Sequence, residues 1–89
     1  MFQGKVIRNE SLDPQYRVKF TYKTDKCYIY EGIALFTRKA PTPIVTFDDY
    51  TDYLIERLNL DESVLQNIRL EVGQTVCDYI FNTLEYKKI

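Results

Sequence analysis

From Tyr16 to Lys23 the chain alternates without a fault: Tyr16, Val18, Phe20 and Tyr22 interleave with Arg17, Lys19, Thr21 and Lys23. Side chains of a strand point to opposite faces in turn, so this period of two puts an apolar, largely aromatic row on one face and a cationic row on the other. A helix is ruled out here, because 3.6 residues per turn would scatter the aromatic rings around the axis. Such a strand needs a covering layer on one side and partners along its edges.

Partners are at hand on both sides in sequence. Thr24-Asp25 is a turn signal, and Lys26 to Arg38 is rich in aromatic and β-branched residues, which predicts a second strand and a hairpin. Lys5 to Arg8 predicts a short strand before them, followed by an Asn9 to Pro14 loop in which Asp13-Pro14 favours a turn. The second long strand reads as apolar on both faces, with Cys27, Ile29, Ile33 and Leu35 against Tyr28, Tyr30, Ala34 and Phe36. Glu31-Gly32 interrupts it as a bulge would, and a bulge there exchanges the faces beyond Gly32. Two apolar faces call for a second covering layer, for which another protomer is one source.

After Pro41 and Pro43, which make Lys39 to Ile44 an extended connector, the period changes. Thr46 offers an N-cap, with Asp49 three residues on and Val45 and Tyr50 at staple spacing. This predicts a helix from near Phe47, apolar at Phe47, Tyr50, Leu54 and Leu58 and ending at Asn59. Asp61 can cap a second helix, in which Leu65, Ile68, Val72, Val76, Ile80 and Leu84 recur every three or four residues across Gly73. A strand through Ile68, Leu70 and Val72 that ends at Gly73 is the shorter alternative.

The 89 residues suffice for a single domain, 1–89. A compact domain of this size has a radius of gyration of ~12 Å, hence a width near 30 Å. A helix from Glu62 to Tyr86 would be ~37 Å long and would overhang it. Beside its main row lie Leu70, Cys77 and Phe81, and one sheet covers only one stripe. The expectation is a homodimer formed through Leu70, Cys77, Phe81 and Leu84 of this helix, through the sheet face, or through both. In the competing arrangement the first helix covers the second stripe and the chain is monomeric.

Composition limits the chemistry. With no His, three Gly and two Cys, the chain has no neutral-range acid–base residue, no base to activate Ser11 or Ser63, and no glycine-rich phosphate loop. Zinc sites with four Cys or His ligands are excluded by count. Catalytic residues, metal ligands and cofactors are therefore not expected. No basic region followed by an apolar run opens the chain, and no apolar stretch approaches ~20 residues, so the expectation is a cytoplasmic protein without a membrane span. Cys27 and Cys77 then read as small buried apolar side chains, a disulfide between them being the alternative.

The net charge of −1 hides an asymmetry. Residues 1–45 carry eight bases and four acids, residues 46–89 four bases and nine acids. Asp48, Asp49, Asp52 and Glu56 crowd the first helix, either as a solvated helix start or as an acidic ridge for a basic partner surface. Strung along one helix they suit a hard cation poorly. Arg17, Lys19, Lys23, Tyr28, Tyr30, Arg38 and Lys39 interleave cations with rings, as in sheets that bind single-stranded nucleic acid, although dedicated nucleic-acid binders are basic overall.

The sequence thus predicts an α+β domain: a three-stranded, mainly antiparallel sheet followed by two helices, the second long and amphipathic. By elimination its function is that of a small non-enzymatic interaction protein, homodimeric, that binds and modulates or inhibits another macromolecule. An inhibitor or accessory protein of a phage or mobile element fits the size. The alternative is nucleic-acid binding through the basic, aromatic hairpin.

Overall fold

The computed structural model describes the backbone of residues 1–87 and the side chains of residues 1–82. The chain is α+β, with an antiparallel sheet followed by two helices. Strands β1 (Phe2–Val6), β2 (Gln15–Lys23), β3 (Tyr28–Thr37) and β4 (Ile44–Phe47) lie in sequence order, each antiparallel to the next. Helix α1 (Asp49–Leu58) and helix α2 (Glu62–Lys87) follow.

The alternation in β2 has the consequence its period dictates: Tyr16, Val18, Phe20 and Tyr22 are buried, while Arg17, Lys19 and Lys23 are exposed. Phe2, Gly4 and Val6 of β1 pair with Tyr22, Phe20 and Val18, so they share the inner face, and Gln3 and Lys5 share the outer one. This strand starts earlier than the Lys5 to Arg8 segment expected, and Arg8–Glu10 instead forms a 3-10 turn.

In β3 the bulge is present. Phe20 pairs with Gly32 and Tyr22 with Ile29, so Tyr30 and Glu31 together oppose the single residue Thr21. Glu31 takes a left-handed φ of 55° to make the step. Beyond it the faces exchange: Ile29, Ala34 and Phe36 are all inward and buried, Tyr28 and Tyr30 are exposed, and Ile33 and Leu35 are half-buried on the outer side. Gly32 is required at this point because a Cβ there would lie 2.8 Å from the Phe20 ring.

The three-stranded expectation is corrected to four. Residues 44–47 extend the sheet, with Val45 opposite Phe36 and Phe47 opposite Ala34. Thr46 is a strand residue rather than a cap, and Phe47 precedes the helix. Asp48 is the N-cap, its carboxylate accepting from the Thr51 N–H at 2.8 Å. Within α1 the buried position expected of Tyr50 belongs to Thr51, which is fully buried, with Leu54, Ile55 and Leu58 partly packed on the core; Tyr50 is exposed. The reason is a sheet bond. Where the chain leaves β4, the Ile33 C=O still accepts from the Asp48 N–H at 3.1 Å, but the Asp48 C=O turns to the Asp52 N–H, and the Thr51 hydroxyl accepts from the Ile33 N–H at 2.8 Å. Thr51→Val keeps the shape and removes that acceptor. It is expected to lower stability by about 1–3 kcal/mol in urea unfolding, with Thr51→Ser losing less. A valine variant as stable as the parent would refute the role of this bond.

Asn59 ends α1 in the left-handed conformation that suits a C-cap. Helix α2 crosses Gly73 without a break and places Ile68, Val72 and Val76, all fully buried, against the inner sheet face. It packs on all four strands, whereas α1 packs on β3 and β4. At 26 residues α2 is ~39 Å long, close to the 44 Å length of a molecule only 25 by 22 Å across. No helix among the described residues is long and apolar enough to cross a membrane.

Candidate interaction surfaces

Three surfaces carry the residues singled out by sequence, and they lie apart on the fold. The first is the side of α2 turned away from its core row. Leu70 and Phe81 are 72% and 64% exposed, and Cys77 between them is exposed as well. The side chain of Leu84 lies outside the described residues. Cys77 is therefore not the buried side chain expected from composition. Cys27 is half-buried beside the Thr24 hydroxyl, and both thiols are free. Between this side of α2 and the end of the sheet runs an apolar groove of about 400 Å³, walled by Leu70, Gly73 and Cys77 on one side and Phe36, Pro43 and Val45 on the other. That Pro43 and Val45 come alongside Phe36 is not foreseen from the sequence. Its signal is the alternation of Val45 and Phe47 after Pro43, which reads equally well as a helix start.

The acidic ridge of α1 is the second surface. Asp49, Asp52 and Glu56 are exposed, but Asp48 stands apart, because its carboxylate is committed to the cap. Tyr50 and Tyr53, 56% and 55% exposed, lie among the acids and are visible in sequence only once the inward face of α1 is known. Among the described residues, no three His, Cys, Asp or Glu side chains converge in a way that could hold a metal ion.

The third surface is the outer face of the sheet. Arg17, Lys19 and Lys23 line it on β2, and Tyr28 and Tyr30 stack on β3 with ring centres 6.0 Å apart and planes 10° apart. Lys5 of β1, which starts earlier than its sequence pattern suggests, joins this face and pairs directly with Lys19. Two of the cations are already matched, Lys19 with Glu31 at 3.1 Å and Arg17 with Glu10 at 3.5 Å. Arg38 and Lys39 belong to the far end of β3 from the tyrosines, about 30 Å along the strand.

Arg38 is engaged more firmly. Its Nε and Nη2 donate to the two carboxylate oxygens of Asp13 at 2.8 and 2.6 Å, and the part-buried Tyr16 hydroxyl donates to the same carboxylate at 2.8 Å. The Arg38 bond and then the Tyr16 bond hold the Asp13 pKa down at about 2. Burial, then the Asp13 bond, pushes Tyr16 up to about 12. A carboxyl depressed in the folded state contributes stability above its ordinary value of 3.8 and loses it as pH falls from there toward 2. A phenol raised in the folded state contributes below its ordinary 10.0 and loses that contribution as pH climbs toward 12. Asp13→Asn is therefore expected to flatten the loss of stability between pH 4 and pH 2, read as the pH dependence of the urea midpoint. An unchanged acid limb would contradict the assignment.

No protein-family profile, no curated protein and no solved structure matches the chain.

Proposed function

We propose that this chain is a non-catalytic interaction protein that self-associates through the exposed side of α2 and, as a dimer, binds and modulates another macromolecule. The observation that carries the reading is the open apolar groove beside Leu70 and Cys77, with Phe81 exposed further along the same helix. Soluble monomers keep contiguous apolar surface small, and such surface rimmed by polar residues marks an interface. The adjacent polar rim, with Gln66 and Arg69, fits the anatomy of an interface. The ridge of Asp49, Asp52 and Glu56, with Tyr50 and Tyr53 exposed among the acids, is the surface best suited to a basic partner, since aromatic anchors within a charged field are common at protein contacts. An inhibitor or accessory protein of a phage or mobile element remains the role that fits this size. Light scattering tests the self-association: the reading requires twice the 10.6 kDa chain mass, and a single chain mass at high concentration overturns it.

The stacked pair Tyr28 and Tyr30 beside Lys23 favours a second reading, in which the outer sheet face binds single-stranded nucleic acid. Against it stand the ion pairs of Arg17, Lys19 and Arg38. Oligonucleotide affinity that falls steeply with salt and weakens on Lys23→Ala would support it, and no binding at low salt would remove it.

A further inference from the structure

We infer that the occupant of the α2 groove is a second copy of this chain, whose own α2 runs antiparallel with the two-fold axis at Cys77. This deepens the self-association proposed above and rests on it.

Glycine is among the poorest helix formers, yet Gly73 sits inside α2, near its middle. The chain's own packing does not demand it: a Cβ there would meet the nearest atom, on the Phe36 ring, at 3.6 Å, an ordinary contact, and its φ is not positive. The missing side chain instead opens the groove outward, between Leu70 and Cys77. On the same side of the same helix, Phe81 projects a ring that its own chain leaves exposed. One strip thus presents both a knob and a hole, which is the condition for an isologous contact.

Their spacing fixes the geometry. Gly73 and Phe81 lie four residues to either side of Cys77. About a two-fold axis at Cys77, each Phe81 faces the Gly73 of the other copy, large against small, and the small Cys77 side chains meet at the centre where the helices approach most closely. A parallel pairing would set Gly73 against Gly73 and Phe81 against Phe81, leaving the hole unfilled and crowding the knobs.

Cross-linking separates this register from the self-association itself. In a Cys27→Ser chain, Cys77 is the remaining thiol, and mild copper phenanthroline oxidation, which removes two electrons and two protons from a thiol pair, is expected to convert most of the protein to a covalent dimer. In Cys27→Ser/Cys77→Ser/Leu70→Cys the thiols sit fourteen residues of helix apart, about 21 Å, and no covalent dimer is expected. Linking at both positions indicates a parallel pair and overturns the register while leaving the proposed function standing. Linking at neither, in chains that light scattering finds dimeric, overturns it as well. A monomeric parent overturns both. Gly73→Leu adds a test without cysteine: it fills the hole on a helix that has room for the Cβ, so a folded chain with dimer affinity at least tenfold weaker is expected, and unchanged affinity contradicts the register.

Discussion

Phe81→Glu is expected to leave the domain folded and abolish its self-association. The ring is 64% exposed in the single chain, so its removal should alter monomer stability by no more than about 0.5 kcal/mol, and glutamate is the better helix former. In the paired form the same change removes an aromatic anchor and places a carboxylate in an apolar groove, and a two-fold contact suffers it twice. Truncation of a central anchor costs about 2–4 kcal/mol at an interface, so the doubled loss should weaken the dimer by at least about a thousandfold. Light scattering should report a single chain mass, with an unchanged far-ultraviolet circular dichroism spectrum. A variant that stays dimeric would move the interface away from α2.

The second large effect lies in the core. Phe20→Ala should cost about 3–5 kcal/mol, measured by urea unfolding at one fixed chain concentration. Phe20 is 1% exposed, stacks on Phe2 at 5.5 Å and meets Phe47 at 6.1 Å, so this one ring ties β1, β2 and β4 together over the Gly32 backbone. A domain of this size has a total stability of about 5–15 kcal/mol, of which that loss is a large part. A cost below about 1 kcal/mol would mean that the inner face is not the core described above.

How much of this is legible in the sequence depends on which force decides each residue. The faces of β2 and the inward row Ile68, Val72 and Val76 of α2 are periodic hydrophobic patterns, and burial follows the period. The bulge in β3 is signalled by Glu31-Gly32, but its effect on the faces depends on the cross-strand register, Phe20 with Gly32 and Tyr22 with Ile29, which a single strand does not encode. The fourth strand is hidden for a similar reason. Thr46 and Asp48 are both good caps, and what keeps Thr46 extended is its pairing with Leu35 on the neighbouring strand. Thr51 escapes a hydropathy reading altogether, since a hydroxyl occupies a fully buried position to satisfy the Ile33 N–H. On α2 the outward positions Leu70, Cys77 and Phe81 are visible from helical spacing. The groove beside them is not, because Pro43 and Val45 come alongside Phe36 of β3 only through the pairing of β4 with β3.

Whether this fold is completed by another copy of itself, as proposed, is tested most directly by the dependence of stability on chain concentration. If folded chains pair through α2, mass action raises the urea midpoint as concentration increases over about a hundredfold, and the rise disappears in Phe81→Glu. A parent midpoint that stays constant across that range would contradict it.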